Sequence, residues 1–303
     1  MVQQSGTYQV EGQPRMQGTV DGFSYGLVTP LVAYLMACLG GALGLRCTTR
    51  SMLVFRSWRP GWLALGSAAI GSGIWTMHFV AMMGFTVVGT PIRYDVLTTF
   101  ASLGVAIVMV GIGIFMVGYK GARGSALFTG GTITGLGIAS MHYLGMAGMR
   151  LDGKLEYDTL TVAASVVIAI VAATAALWAA GQVRGFMWSV GASLVMGLAV
   201  SGMHYTGMAA LNIHLHTASA PTSGDSSAGF LALIMVGPLA FLLLAGVVVM
   251  FDPLMVMGKP AGAPIENKPG IPAHSTVRHT TRRPVIRARR TVGSRSSRTP
   301  QNR

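Results

Sequence analysis

The sequence predicts an all-α membrane protein of about seven transmembrane helices, built as three repeated helix pairs plus one extra helix. Three observations carry this. The 303 residues are 51% hydrophobic and 10% charged, with a mean hydropathy of +0.56, where a soluble domain carries roughly 25% charged residues. Seven apolar runs reach about the 20 residues that a helix needs to cross a bilayer. One short phrase recurs near the ends of three alternate runs.

The runs lie at about 25–45, 61–83, 96–118, 126–149, 159–180, 186–211 and 227–251. Each is continuous and far longer than a barrel strand of about 10 residues, which predicts helices. The connections are short, so neighbours are expected to pack antiparallel. Lysine and arginine in the flanks set orientation. Arg46, Arg50, Arg56, Arg59, Lys120, Arg123, Arg184 and the tail hold eighteen of the 22 basic residues, all on one side. The other side holds seven of the nine acids, among them Asp21, Asp95, Glu156 and Asp158. The N-terminus is therefore expected outside and the C-terminus inside the cytoplasmic (inner) membrane, as an odd number of spans requires.

Three segments follow. Residues 1–24 read as an extracytoplasmic segment without the basic-then-apolar pattern of a cleaved signal peptide. Residues 25–251 form the membrane domain, whose solvent is the lipid bilayer. Residues 252–303 form a basic cytoplasmic tail, too poor in large apolar residues to bury a core. Its arginines, from Arg278 to Arg303, would be drawn to anionic lipid at about 1 kcal/mol per charge near the surface. Pro238 within the last run is expected to kink it or to be accommodated by a neighbour.

The recurring phrase is T-M-H-F-V-A-M at Thr76 to Met82, S-M-H-Y-L-G-M at Ser140 to Met146 and G-M-H-Y-T-G-M at Gly202 to Met208. His78, His142 and His204 are 64 and 62 residues apart. They fall on the second, fourth and sixth helices, at one depth near the outer end. Counting back from each histidine, position −7 is Gly71, Gly135 and Gly197, and position −4 is Ile74, Ile138 and Val200. Position +4 is Met82, Met146 and Met208. These positions share one helix face. Met77, Met141 and Met203, at −1, lie on an adjacent face.

Ionisable groups inside a membrane are costly and mark function by default. Neutral imidazole is a common metal ligand, and thioethers select soft ions, copper(I) above all. Three such turns at one depth offer nitrogen and sulfur donors to one ion. The phrase has no carboxylate, against calcium or magnesium, and zinc prefers other ligands to methionine. Haem held by two histidines stays as an alternative. A plainer reading is a packed histidine layer, with methionine as gap filler. The aromatics after each histidine, Phe79, Tyr143 and Tyr205, read as part of an interfacial belt. His214 and His216 in the outer loop offer a weak metal-capture signal. Cys38 and Cys47 are expected some 20 Å from the histidine layer by helical rise.

M-H-Y-T at Met203 to Thr206, with M-H-Y-L at 141–144 and M-H-F-V at 77–80, resembles the MHYT domain, a bacterial integral-membrane sensor module. The resemblance covers about residues 25–250. It implies paired helices whose methionines and histidines near the outer face bind copper and sense oxygen, carbon monoxide or nitric oxide. By position, the implied ligands are Met77, His78, Met82, Met141, His142, Met146, Met203, His204 and Met208. Such domains are often fused to cytoplasmic output modules, whereas here about 50 basic residues follow, so signalling through a separate cytoplasmic partner or the tail is expected. No acid–base pair or activated nucleophile is visible, and the chain is not expected to be an enzyme. Copper handling or transport, and a purely structural membrane role, are the competing functions. The inner halves of the even helices offer only Gly, Ser and Thr, without a second ligand layer, which weighs against transport.

Overall fold

In the computed structural model the described residues are 16–17, 20–21, 24–87, 90–151, 153–182, 186–215 and 227–251. Among them are seven long helices: α1 (Val28–Leu53), α2 (Arg59–Met83), α3 (Val96–Lys120), α4 (Gly124–Ala147), α5 (Thr159–Gln182), α6 (Phe186–Ala209) and α7 (Ser227–Met250). All but α4 are long and apolar enough to cross a bilayer. α4 falls short in hydropathy because it carries six glycines, three threonines and two serines in 24 residues. Those small residues are what let it pack closely between α3 and α5. The basic tail from residue 252 onward, Arg184, Asp225 and His216 lie outside the described residues.

α1 runs eight residues beyond the end of its apolar stretch, to Leu53. A hydropathy reading stops at Arg46, but the helix continues on local hydrogen bonds. The Thr48 and Thr49 hydroxyls donate to the carbonyls of Gly44 and Leu45 one turn back. At the other end of the α2–α3 hairpin, Gly121 ends α3 at a φ of 88°, a conformation open to glycine at little cost.

The helices close into a ring. α1 packs on α2, α3 on α4 and α5 on α6; α2 meets α3, α4 meets α5, and α6 returns to α1. α2, α4 and α6 also touch one another along the ring's axis. The position −7 glycines bring each even helix against an odd one. A Cβ on Gly71 would stand 2.9 Å from the Ile107 backbone in α3, and on Gly135 2.4 Å from the Ile170 backbone in α5. On Gly197 it would stand 2.5 Å from Cys38 Sγ in α1. Three equivalent contacts in cyclic order are the signature of a pseudo-threefold bundle. α7 lies outside this symmetry, on α2 and α1. It buries Leu231, Met235, Leu242, Ala245 and Val249 along one face and exposes leucine and valine on the other.

Short strands, which the sequence reading did not anticipate, join the connections at the end where the even helices finish. β1 (Met16–Gln17), β2 (Val20–Asp21), β3 (Thr86–Val87), β4 (Arg93–Tyr94), β5 (Met149–Arg150), β6 (Gly153–Tyr157) and β7 (Leu211–Leu215) pair antiparallel. The pairs are β2–β3, β4–β5, β6–β7 and β7–β1. Each connection at this end is thereby tied to the next, and the N-terminal strands close the circle. Backbone bonds repeat the cycle: Ser24, Asp95 and Asp158 N–H donate to the carbonyls of Gly84, Gly148 and Ala210 at 3.0, 2.9 and 2.8 Å. Each acceptor is the sixth residue after a histidine. Asp95 and Asp158 also cap α3 and α5, accepting from the backbone N–H and the hydroxyl of Thr98 and Thr161.

Candidate metal centre

The ring turns the three histidines inward onto its axis. His78, His142 and His204 are each 1% exposed. Their Nδ1 atoms form a near-equilateral triangle, with sides of 3.1 Å (His78–His204), 3.2 Å (His78–His142) and 3.3 Å (His142–His204). The rings stand edge to face, 78–90° apart, with centroids 4.9–5.0 Å from one another. This propeller follows from one side chain per pseudo-threefold unit.

A point equidistant from the three nitrogens lies about 1.85 Å from each, close to the 2.0–2.1 Å of a zinc–imidazole bond. Neutral imidazoles each present one lone pair and one N–H. Three ring nitrogens this close cannot form three straight hydrogen bonds, because each nitrogen sits about 30° off the line to its neighbours when aimed at the centre. Three lone pairs aimed at this point could share one cation. The triangle is also too tight for haem, since nitrogens 3.1–3.3 Å apart leave no slot for a macrocycle between them.

The far ends of the His78 and His142 rings are fitted to the next even helix. A Cβ on Gly145 would stand 2.6 Å from His78 Nε2, and on Gly207 2.5 Å from His142 Nε2. These glycines are three residues after the next histidine in the cycle. The third such position, after His78, is Ala81, which is buried. The signal for position +3 is a glycine or alanine in every copy, a functional position not among the residues singled out above. His142 Nε2 has no hydrogen-bond partner.

The methionines flank each histidine along its helix, at positions −1 and +4. Met77, Met141, Met203, Met82 and Met146 are buried, and Met208 is half-buried. The structure thus brings the three imidazoles into contact and sets the six thioether side chains on the same turns of α2, α4 and α6. The first of the three aromatic positions corrects the belt reading. Phe79 is fully buried against the rings of His78, Trp75 and Tyr94. Tyr143 and Tyr205 stack edge-on to their own histidines, and the Tyr143 hydroxyl bonds Ser165 Oγ at 2.7 Å. One residue past the inward His78, the Phe79 side chain turns about 100° around the helix and meets Tyr94 of β4.

The cysteines also move. Cys38 Sγ lies opposite Gly197, seven residues from His204, so it stands about 10 Å from the histidine layer rather than 20 Å. Cys47, opposite Gly66 twelve residues before His78, does lie near the expected depth, about 18 Å away. His214 belongs to β7, where its Nε2 is 3.4 Å from Glu156 Oε2 on β6. It does not join the buried triad.

Residues 71–130 and 135–193 match the repeat family described as bacterial signalling protein N terminal repeat, MHYT. Both matches begin on a position −7 glycine. The chain is 35% identical over 235 residues to the bifunctional diguanylate cyclase/cyclic di-GMP phosphodiesterase MucR of Pseudomonas aeruginosa, covering 76% of this chain and 34% of that protein. It is 35% identical over 232 residues to the cyclic di-GMP phosphodiesterase NbdA of the same organism, covering 72% and 29%. With the signaling protein YkoW of Bacillus subtilis it shares 29% identity over 198 residues, 63% of this chain and 24% of that one. The chain therefore spans about a third or less of the length of these curated relatives. No solved structure matches it.

Proposed function

We propose that this chain, which belongs to the MHYT family of bacterial signalling proteins, is a multi-pass inner-membrane sensor in which His78, His142 and His204 hold one copper ion. A bound copper supplies a redox couple and an affinity for oxygen, carbon monoxide or nitric oxide. The chain's own part is to hold three neutral nitrogens at one point, to keep water away from them, and to link any change there to helix packing. The observation that carries this is the Nδ1 triangle, 3.1–3.3 Å on a side and buried within six helices. The donor set supports copper over harder ions: three imidazoles, methionine on every adjoining turn and no carboxylate. Met77, Met82, Met141, Met146, Met203 and Met208 are candidates for a fourth, soft ligand.

The role read here is sensing rather than catalysis. A change in the triad bears directly on α2, α4 and α6 and can bias their packing. We place the output at the inner ends of the helices, through a separate partner or the basic tail on anionic lipid. The test is metal analysis of the purified protein with optical spectra before and after carbon monoxide. The expected result is one copper per chain, lost when all three histidines are replaced by alanine. Equal metal retention in that triple variant, or a metal-free wild type, would overturn the reading.

A further inference from the structure

The ring is not solid below the triad. One helical turn further from the strand-bearing end lies an apolar cavity of about 30 Å³. Every helix of the ring contributes to its wall, which puts it on the bundle axis. Its roof is Ile74, Ile138 and Val200, each four residues before a histidine and so about 6 Å along the helix from it. The next layer is Ile70, Thr134 and Met196, each eight residues before.

Two departures of the wall from threefold symmetry bear on what it admits. Where α3 supplies Val110 and Ile114, α5 supplies a run of alanines, including Ala172, Ala173 and Ala176. Ala173 is buried while Ala172 and Ala176 are half-buried, so the small side chains run from the axis to the outer flank of α5. That flank carries exposed Val167, Val171 and Trp178, an apolar surface suited to lipid. The second departure is Thr134, whose buried Oγ1 has no partner and is the sole side-chain polar atom without one on this wall.

Size and polarity narrow the occupant. A buried water needs two to four polar partners and about 10–15 Å³ on this measure. The cavity is almost wholly apolar, since the Thr134 hydroxyl is seated against Gly113 of α3, and it has room for about two heavy atoms. Ions and hydrogen-bonding metabolites are excluded by desolvation cost. We infer that the axial cavity is a docking pocket for an apolar diatomic molecule, which enters from the lipid side past the alanines of α5 and lodges on the axis one helical turn below the histidine triad. The inference rests on the gas-sensing reading for its purpose, but filling the cavity requires no metal.

Xenon is the probe. In the 303-residue protein in detergent, labelled with ¹³C at the methionine methyls, Met196 lines the cavity and Met250 faces outward. Under rising xenon pressure the Met196 resonance is expected to shift and saturate, with and without copper, while Met250 shifts linearly. Ala173→Leu should weaken that saturation at least tenfold, and Thr134→Val should preserve it. A linear Met196 response in the wild type, or saturation unchanged by Ala173→Leu, would overturn the inference. Should Ala173→Leu not fold, the wild-type response decides alone. Copper measured on the same samples separates the two readings. Saturation without copper sinks the metal centre and leaves the pocket, whereas copper without saturation sinks the pocket.

Discussion

The imidazole of His142 is seated against Gly207, with Nε2 lying 2.5 Å from where a Cβ on that residue would stand. His78 meets Gly145 in the same way at 2.6 Å. The glycine after one histidine thus sets the tilt of the histidine before it in the cycle. Gly207→Ala should push the His142 ring aside and open the Nδ1 triangle while leaving every donor in the sequence. The expected outcome is a fall in copper affinity of about 10–100-fold, the size of effect seen when a metal site's supporting shell is disturbed. Competition titration with a copper chelator measures it. Affinity equal to wild type would show that ring seating does not govern the site.

Close helix approach should be visible in stability at the −7 glycines. A Cβ on Gly135 would meet backbone atoms of α5 at 2.4–2.8 Å, and backbone cannot step aside. Gly135→Ala is expected to destabilise the bundle by about 1–3 kcal/mol, as overpacking does. Gly104 in α3 is the control, since nothing lies within 4 Å of its Cβ position. Gly104→Ala should be neutral or stabilising by up to about 1 kcal/mol, because it restricts the unfolded chain. Thermal unfolding in detergent, followed by circular dichroism, compares the two.

Much of this was legible because repetition leaves a register. Ile74, Ile138 and Val200 share with the histidines the inward side of each even helix, while Gly71, Gly135 and Gly197 meet the neighbouring odd helix. Sequence periodicity does not say what a face meets, so the convergence of His78, His142 and His204 had to come from the closed ring. The strands were missed because pairs as short as Arg93–Tyr94 with Met149–Arg150 carry no alternation. Their pairing is set by the loops being brought together at one end. Phe79 was misplaced for a related reason. An aromatic near a helix end reads as a belt residue until a neighbouring element, here Tyr94 on β4, is known to cover it.

Acid should weaken the caps of two helices. Asp95 and Asp158 are held below the ordinary carboxylate value of 3.8, first by the hydroxyls of Thr98 and Thr161 and then by their backbone N–H groups. A folded-state pKa below the unfolded one adds stability that is complete above 3.8 and is lost as the pH falls through the lower folded value. The double variant Asp95→Ala, Asp158→Ala should therefore have a lower Tm than wild type at neutral pH. The gap should close as the pH drops below that range. Asn at both positions still accepts the cap bonds, so that variant should keep most of the Tm and lose its acid dependence. A gap that stays constant from neutral to acid pH would remove the caps from the account.

Orientation can be read chemically because both native thiols are hidden. Cys38 and Cys47 are buried, so a membrane-impermeant maleimide should find little background. Lys154 lies on β6 at the strand-bearing end with its side chain 73% exposed, and Arg56 lies exposed in the α1–α2 connection at the opposite end. The excess of lysine and arginine on the Arg56 side makes that side the expected cytoplasmic one. Lys154→Cys should then label in intact spheroplasts, and Arg56→Cys only after the membrane is permeabilised. That pattern would put the histidine layer, about 8 Å below the strand-bearing end by helical rise, near the periplasm. Labelling of Arg56→Cys in intact cells would invert the bundle and turn the histidine layer toward the cytoplasm.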